Sequence, residues 1–468
     1  MSRTARIEHD MLGEISVPAD AYYGAHTARA LANFPITGER LADRSHLVNA
    51  LAAVKHATAA ANAEVGALDE TRARAIATAC TEIRNGALHD QFVVDLIQGG
   101  AGTSTNMNAN EVVANRALEL LGHHRGEYSV LHPLDHVNLG QSTNDVYPTA
   151  VKLALDRHLA ELLAALAELR EAFTAKAVEF ADVLKMGRTQ LQDAVPMTLG
   201  QEFGAYAATL AEDEQRLAET RLLLHELNLG GTAIGTGLNA RPGYRELAIA
   251  HLRSLTGIPT LVSSPDLIEA TQDVGVFVQL SGVLKRTAVK LSKICNDLRL
   301  LSSGPQAGLG EITLPARQTG SSIMPGKVNP VIPEAVNQIA FEIIGHDVTV
   351  TLAAEGGQLQ LNAFEPIIAR ALTAGLDHLT AGIGVLREHC VLGITANRDR
   401  LAEIVAVSTG LVTALSPTLG YEMACAIALE AHHTGRPPLD LVRERELLTE
   451  EQLHILTAPE ALTGRRVA

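Results

Sequence analysis

Residues 150–185 read AVKLALDRHLAELLAALAELREAFTAKAVEFADVLK and contain neither glycine nor proline. Their apolar side chains recur at intervals of three and four residues, with charged residues such as Glu161 and Glu168 between them. The apolar positions are Leu155, Leu159, Leu162, Leu163, Leu166, Leu169 and Phe173. This period predicts an α-helix with one apolar face. Such a helix would be about 50 Å long, which exceeds the width of a small domain.

Other segments of the chain have the same helical pattern. Long ones run from about Met197 to Leu229 and from about Ser264 to Leu301, and a fourth begins near Pro333, since proline fits the first turn of a helix. Shorter helices are predicted at His46–Val65 and Asp69–Asn85. Long helices rich in alanine and leucine need other helices to cover their apolar faces. We therefore predict an all-α protein whose central helices bundle with each other and with copies from other subunits.

The chain is too long for one ordinary hydrophobic core, at 468 residues. We predict an N-terminal helical domain over residues 1–141 and a central helical-bundle domain over residues 142–395. A small C-terminal helical domain would follow over residues 396–468, where short helices alternate with glycine and proline.

Composition excludes several classes of partner. Apolar residues make up 47% of the chain and charged residues 19%, which is typical of a folded protein. The net charge of -15 would repel nucleic acid and anionic membranes, and aromatic residues for stacking on bases are only 3%. A site for a small anion must therefore create its own positive potential from a lysine, an arginine or backbone N–H groups.

Cysteine usage and the N-terminus favour a cytoplasmic protein. The cysteines are Cys80, Cys295, Cys390 and Cys425, and none belongs to a CxxC motif. They are too few for a disulfide scaffold in a chain of this length. Residues 1–13 mix charges throughout and lack the apolar core of a secretory signal, and no stretch is typical of a membrane span.

Four loops interrupt the helices and are rich in Gly, Ser, Thr, Asn and Gln. They are Gln98–Asn108, Asn138–Asp145, Gly187–Asp193 and Gly320–Pro330. Any one of them could be an ordinary loop that ends in a helix N-cap. Together they offer the hydroxyls, amides and N–H groups that bind a small carboxylate, and the last loop adds one cation, Lys327.

Motifs for other chemistry are missing from the sequence. Gly320–Pro330 is no Walker phosphate loop, because Val328 follows Lys327 where serine or threonine is required. The glycines of residues 230–237 follow a helix and not a strand, which disfavours a dinucleotide-dependent oxidoreductase. No HExxH or GxSxG motif occurs, and the adjacent histidine pairs would diverge on a helix, so no metal site is predicted.

The loop Gly320–Pro330, GSSIMPGKVNP, resembles the signature loop of the aspartase/fumarase superfamily. The resemblance continues in order over nearly the whole chain. Its other segments are Asp20–Thr27, Gly102–Glu111, Gln141–Asp145, Lys185–Ala194, Gln358–Asn362 and Leu447–Gln452. It implies an all-α homotetramer in which three subunits contribute to each active site. It implies no cofactor and no nucleic-acid or membrane partner.

Two positions favour the aspartase branch over the fumarase branch. Gln190 stands where similar fumarases have a histidine that pairs with a glutamate, here Glu334. Thr143 stands where fumarases tend to have a second serine. The resemblance thus implies reversible deamination of L-aspartate to fumarate and ammonia through an aci-carboxylate intermediate. A class II fumarase and a non-catalytic member of the superfamily remain the alternatives.

The resemblance also implies roles for individual residues. Ser321 would be the base that removes a proton from the carbon beside a carboxylate. A free serine is a poor base, so its alkoxide would need backbone N–H groups of the glycine-containing loop and Lys327. Ser322 would either take part or simply brace the loop.

The remaining predicted site residues bind the substrate. Thr103, Ser142 and Thr143 would hold the β-carboxylate of aspartate, and Lys327 and Asn329 would hold its α-carboxylate. The residues expected at the amino group are Asn144, Thr189 and, beside them, Gln190.

Overall fold

The computed structural model describes residues 5–463, and helices dominate them, so the all-α prediction is confirmed. The helices, in chain order, are α1 (Ala25–Asn33), α2 (Ser45–Glu64), α3 (Glu70–Arg84), α4 (Thr103–Leu120), α5 (Thr143–Glu179), α6 (Leu199–Leu223), α7 (Tyr244–Thr256), α8 (Leu267–Gln272), α9 (Gly275–Leu301), α10 (Val331–Glu355), α11 (Glu365–His389), α12 (Arg398–Val407), α13 (Leu411–Leu419), α14 (Tyr421–Thr434), α15 (Pro438–Glu444), α16 (Glu450–Leu456) and α17 (Pro459–Thr463).

The strands of the described residues are short and occur in pairs. Antiparallel pairs join β1 (Ala5–Asp10) to β2 (Gly13–Pro18), β3 (Leu184–Thr189) to β4 (Gln192–Thr198), and β7 (Ile312–Thr313) to β8 (Thr395–Ala396). The pair β5 (Glu226–Leu227) and β6 (Val262–Ser263) is parallel.

The long segment that decides the fold is helix α5, with different ends from those predicted. It begins at Thr143, ahead of the predicted residue 150, and stops at Glu179, ahead of the predicted residue 185. The helical pattern fails at its end because residues 184–189 pair with β4. Met186 of β3 is buried against Val405 and Leu411, and this packing overrides the local preference for helix.

The other helical predictions hold with smaller changes. Helices α2 and α3 occupy the predicted positions, and α10 begins at Val331 with Pro333 in its first turn. The segment from Met197 is α6, but it ends at Leu223. The segment from Ser264 is two helices, α8 and α9, divided at Asp273, whose carboxylate accepts the N–H of Gly275 at 2.9 Å.

The chain folds into two compact units. Unit 1 consists of the chain up to Leu163, Gln215–Arg286 and Glu342–His378. Unit 2 consists of Ala164–Glu214, Thr287–Phe341 and the chain from Leu379 onward. Several boundaries fall inside long helices, so each unit is assembled from segments that are distant in sequence. The three-domain division at residues 141 and 395 stays a prediction.

Each unit has its own buried apolar side chains. In unit 1, α2 packs against α3 and α7, and small alanines on α2 allow the helices to approach closely. In unit 2, residues 412–453 of helices α13 to α16 enclose a small core that includes Leu415, Ile427 and Leu453. No single helix of the described residues is long and apolar enough to cross a membrane, although the bent pair α12 and α13 passes on length and composition.

Candidate active site

The first predicted polar loop, Gln98–Asn108, is a loop only as far as Gly102, because residues 103–108 form the first turns of helix α4. Gly102 precedes the helix with φ of 90°, and a side chain there would place its Cβ 2.5 Å from the ring of Tyr147. Thr103 is the first residue of the helix, and its hydroxyl donates to the carbonyl of Gly100 at 2.6 Å. The exposed Thr103 therefore lies at a helix N-terminus, where the partial positive charge of the helix attracts anions.

The second polar loop ends in the same way at helix α5. The N–H of Ser142 donates to a carboxylate oxygen of Asp145 at 3.0 Å, and the Ser142 hydroxyl oxygen accepts the N–H of Asn144 at 3.2 Å. These bonds are a capping arrangement that fixes the first turn. Thr143 Oγ1 accepts from the amide of Asn106, one turn into α4, at 3.0 Å.

Unit 1 therefore brings together four of the predicted substrate-binding residues. The Asn106–Thr143 hydrogen bond joins the first turn of α4 to that of α5. Two helix N-termini and several hydroxyls meet there, which is a suitable site for a carboxylate. The four residues are Thr103, Ser142, Thr143 and Asn144.

A buried lysine that the sequence analysis missed donates hydrogen bonds to the second polar loop. Lys55 of α2 is fully buried, and its ammonium donates to Asn138 Oδ1 at 2.9 Å and to Gln141 Oε1 at 2.8 Å. Burial lowers the pKa of Lys55 to about 7, against the opposing charge of Asp145. The sequence feature that could have indicated this buried lysine is that Lys55 is the one lysine within the alanine-rich residues 50–61.

Asp145 connects the loop to the glycine-rich segment that the sequence left without a function. Its other carboxylate oxygen accepts the N–H groups of Gly230 at 3.0 Å and Thr232 at 2.9 Å. Burial raises the pKa of Asp145 to about 6, while these backbone hydrogen bonds and Lys55 act to lower it. The side-chain amide of Asn144 donates to the carbonyl of Ala233 at 2.8 Å, so the glycine-rich segment also orients this predicted site residue.

A second buried carboxylate, that of Glu111, binds the N-terminal segment Asp20–Thr27, which resembles the superfamily in sequence. Glu111 of α4 accepts N–H groups from Gly24 at 2.7 Å, His26 at 2.8 Å and Thr27 at 3.2 Å, at the start of α1. Burial raises the pKa of Glu111 to about 7. A side chain at Gly24 would place its Cβ 2.5 Å from Glu8 Oε2. Glu111 thus anchors the residues 20–27 to the helix that begins with Thr103.

In unit 2 the third polar loop is the tight turn of the β3–β4 hairpin. Thr189 pairs with Gln192, which leaves Gln190 and Leu191 as a two-residue turn. Both have positive φ, 54° and 63°, as a hairpin turn of this length requires. Thr189 and Gln190 are exposed at the tip of the hairpin. Backbone strain of this kind is often found where side chains must be presented to a ligand.

Glu311 fixes the base of this hairpin and was also missed by the sequence analysis. Its fully buried carboxylate contacts Lys185 Nζ at 2.9 Å and Arg188 Nη1 at 2.5 Å. Lys185 also contacts Glu202 at 2.6 Å. Two cations around one buried carboxylate offset the cost of burying it. Arg188, the neighbour of Thr189, is thereby held in place.

The signature loop surrounds the oxygen of Ser321 with N–H groups. Ser321 Oγ accepts the N–H of Ile323 at 3.2 Å and that of Met324 at 3.1 Å. The loop is closed at its base, where the N–H of Gly320 donates to the carbonyl of Lys327 at 2.8 Å. Asn329 Nδ2 donates to the carbonyl of Gly320 at 2.8 Å.

Most of the signature loop is exposed, including Ser322 and Lys327, while Ser321 and Asn329 are partly buried. The predicted site residues thus fall into two groups, each in a different compact unit. Unit 2 holds Thr189, Gln190, Ser321, Ser322, Lys327 and Asn329. Glu334, the residue that would pair with a histidine in a fumarase, lies 3.9 Å from Arg299.

Comparison with known proteins identifies the family. The family model described as "Lyase" matches residues 13–345, and the model described as "Fumarase C C-terminus" matches residues 411–464. An aspartate ammonia-lyase from Pseudomonas aeruginosa is 60% identical over 465 residues, which cover 99% of this chain and 98% of the relative. The aspartate ammonia-lyase of Escherichia coli K12 is 54% identical and covers 97% of this chain and 95% of the relative.

Solved structures agree with this result. A fumarate lyase:delta crystallin from Brucella melitensis, bound to cobalt, has a TM-score of 0.95 and 54% identity, over 97% of this chain and 98% of the other. A recombinant class II fumarase from Schistosoma mansoni has a TM-score of 0.93 and 36% identity, over 99% of this chain and 100% of the other. The chain therefore belongs to the lyase family of the aspartase/fumarase superfamily.

Proposed function

We propose that this protein is an aspartate ammonia-lyase that converts L-aspartate reversibly to fumarate and ammonia. The geometry that carries the proposal is the pair of backbone N–H groups that donate to Ser321 Oγ in the signature loop. Full-length relatives of 54% to 60% identity bear the name aspartate ammonia-lyase, which supports this reaction over others of the family.

The chemical problem is the removal of a weakly acidic proton. Deprotonation of the aspartate carbon beside the β-carboxylate places a second negative charge on that carboxylate, giving an aci-carboxylate. Preorganised donors must stabilise this charge as it develops. We assign the task to Thr103, Ser142 and Thr143, at the N-termini of α4 and α5, where partial positive charge is available.

Ser321 is the proposed base. The two N–H groups that donate to its oxygen would bond more strongly to an alkoxide than to a hydroxyl, which lowers the pKa of the serine. The alkoxide takes the proton of the carbon, and the electron pair of the broken C–H bond moves into the carboxylate. Collapse of the aci-carboxylate then forms the C=C bond of fumarate and breaks the C–N bond, so that ammonia leaves.

The rest of the substrate is held by complementary groups. Lys327 and Asn329 are assigned to the α-carboxylate, where the ammonium of Lys327 supplies the positive charge that a chain of net charge -15 must provide locally. Asn144, Thr189 and Gln190 are assigned to the amino group. Because Asn144 Nδ2 already donates to Ala233, its Oδ1 remains as the acceptor that an ammonium group needs.

We also propose a cytoplasmic homotetramer with active sites shared between subunits. One face of helix α10 supports assembly: Phe341, Ile344, Val348 and Leu352 recur at helical spacing and are 37% to 65% exposed in the single chain. The division of the assigned residues between two compact units is compatible with shared sites. Cys80, Cys295 and Cys390 are buried free thiols, as expected in a reducing compartment.

The decisive experiment follows the ultraviolet absorbance of fumarate when purified protein is mixed with L-aspartate, with L-malate in a parallel reaction. Fumarate from L-aspartate alone is the expected result. Fumarate from L-malate alone would identify a class II fumarase that works with Gln190 in place of the usual histidine. No fumarate from either substrate would contradict both activities and favour a member of the superfamily that has lost catalysis.

A further inference from the structure

Two histidines and a glutamate in unit 1 face one another away from the residues assigned to substrate. His46, His158 and Glu161 each offer a ligand atom, and these atoms all lie within 4.8 Å of one another. His46 is the second residue of α2, whereas His158 and Glu161 are one turn apart on α5 and therefore share a face of that helix. The rings of the two histidines meet edge to face, with centroids 4.6 Å apart.

His158 is the most informative member of this cluster. Its side chain is only 6% exposed, and its Nδ1 lies 2.9 Å from a carboxylate oxygen of Asp377 on α11. A carboxylate accepts a hydrogen bond, so Nδ1 carries the proton and Nε2 carries a lone pair. Nε2 is buried and has no hydrogen-bond partner. A buried polar atom in this condition is uncommon, and a metal ion would satisfy it.

The bond from His158 to Asp377 is also the usual outer-shell support of a metal-binding histidine. A carboxylate on the far ring nitrogen fixes the tautomer and makes the other nitrogen a better ligand. Arg44 Nη1 lies 3.5 Å from the other carboxylate oxygen of Asp377 and helps to hold that carboxylate against His158.

The other two groups can complete a coordination sphere. His46 Nε2 and Glu161 Oε1 lie 2.9 Å apart, and the Glu161 side chain is 55% exposed. A small rotation would let both atoms approach one cation at the roughly 2.0–2.2 Å that Zn²⁺ requires. Both border a cavity of about 360 Å³, which leaves room for a water as the fourth ligand.

Nearby arginines do not neutralise the glutamate. Arg84 and Arg157 line the same cavity, but they donate to the backbone carbonyls of Leu255 at 2.5 Å and Thr256 at 2.6 Å. The hydrogen-bond partner found for Glu161 is His46. The carboxylate therefore keeps the negative charge that a divalent cation needs.

We propose that His46, His158 and Glu161 bind a Zn²⁺-class transition-metal dication that clamps helix α2 to helix α5. Two imidazoles and one carboxylate favour Zn²⁺ or Co²⁺ over Mg²⁺ or Ca²⁺, which take oxygen ligands. Because the ion binds only the folded arrangement of two distant segments, it should stabilise the native state. The sequence alone gave no sign of this site, since His46 and Glu161 are separated by 115 residues.

The test uses full-length protein without a polyhistidine tag, stripped with a chelator and titrated with Zn²⁺ in a calorimeter. We expect one Zn²⁺ per chain, a raised thermal midpoint, and, with Co²⁺, the intense visible absorption of a four-coordinate site. His46→Gln and Glu161→Gln should each weaken Zn²⁺ binding at least tenfold. These side chains are partly exposed, so both variants should fold, whereas His158→Gln would be informative only if its circular dichroism is unchanged.

The matched control is His251→Gln. His251 also contacts a glutamate, with its Nε2 2.6 Å from Glu64, but it lies outside the three-residue cluster. This variant should bind Zn²⁺ like the wild type. Undiminished Zn²⁺ binding in both His46→Gln and Glu161→Gln, or no binding by the wild-type protein, would overturn the proposal. None of these readouts depends on turnover of L-aspartate.

Discussion

Ser321, the proposed base, is of a residue type that is normally inert in proton transfer. Its hydroxyl oxygen accepts two N–H groups from the turn that follows it, at 3.1 and 3.2 Å. In the same loop Lys327 supplies a positive charge. Both influences favour the alkoxide over the hydroxyl, and neither requires a neighbouring histidine.

We predict that Ser321→Ala lowers kcat for L-aspartate by about 10²–10⁴, the usual contribution of a general base. The reason is that alanine removes the only proton acceptor assigned to the reaction. Initial rates of fumarate formation measure the effect, with Ser322→Ala as the matched control. If Ser321→Ala retained near-normal turnover while Ser322→Ala did not, Ser322 and not Ser321 would be the base.

Lys55 is a residue whose charge depends on the fold. It is buried beneath the loop that carries Ser142 and Thr143, and burial lowers its pKa to about 7 from an ordinary value of 10.5. Between these values the unfolded chain keeps a proton that the folded protein has lost. Stability contributed by this group therefore rises as the pH increases through that window.

We accordingly predict that Lys55→Met changes the pH dependence of stability. The thermal midpoint of the wild type should rise relative to that of Lys55→Met between about pH 7 and pH 10. Loss of the hydrogen bonds to Asn138 and Gln141 should also loosen the loop and lower kcat/KM by about tenfold, equivalent to about 1.4 kcal/mol. Midpoints that differ by a constant amount across this range would show that Lys55 does not change its proton affinity on folding.

At the scale of elements, the residues assigned to the substrate lie in short interruptions between helices. Helix N-termini present Thr103 and Thr143, the β3–β4 hairpin presents Thr189, and the signature loop presents Ser321. Helices and a strand pair fix the ends of each interruption. Because the interruptions are also short, hydrogen bonds such as those of Asp145 and Glu311 can hold them in one position.

The closed base of the signature loop gives a prediction at this scale. A Cβ at Gly320 would lie 2.4 Å from the carbonyl oxygen of Lys327 and 3.0 Å from the N–H nitrogen of Asn329, and neither backbone atom can yield easily. Gly320→Ala should therefore displace Lys327 and Asn329 and lower kcat/KM at least about 100-fold, equivalent to about 2.7 kcal/mol. The thermal midpoint should change little because the loop is mostly exposed.

Gly384→Ala is the control for this variant, since a Cβ at that position in α11 meets nothing within 4 Å in the chain. It should keep wild-type kinetics. Equal activity of Gly320→Ala and Gly384→Ala would mean that the loop base is not needed for catalysis.

At the scale of the whole molecule, a single chain leaves part of the apolar surface of its long helices exposed to solvent. On α10, Val348 is 56% exposed and Leu352 is 65% exposed, next to Phe341 and Ile344 on the same face. A continuous apolar stripe of this kind is typical of a surface that packs in an assembly.

We predict that Val348→Asp breaks the assembly and abolishes activity together, because the variant places a charge on the apolar face of α10. Light scattering after size-exclusion chromatography measures the mass, and fumarate absorbance measures the activity. Val178→Asp is the matched control, since Val178 is 74% exposed on α5 and lies outside this stripe. A Val348→Asp protein with the mass and activity of the wild type would contradict the proposed role of α10 in assembly.

Much of this architecture could be read from the sequence, because helical periodicity depends on neighbours three and four residues away. The all-α class, the positions of α2, α3 and α10 and the polar loops followed from such local patterns, and motifs in order along the chain indicated the family. The predicted helix was wrong over residues 180–185, because β3 begins at Leu184 and its pairing with β4 and the burial of Met186 outweigh local preference.

Only the tertiary structure decided which buried charges support the loops. Lys55 meets Gln141 across 86 residues, and Arg188 meets Glu311 across 123 residues. Nothing in the spacing of such residues indicates that they meet, because the contacts arise when separate helices pack. The sequence thus determined the elements and the chemical groups that they carry, while long-range packing determined which groups are buried, paired and shifted in pKa.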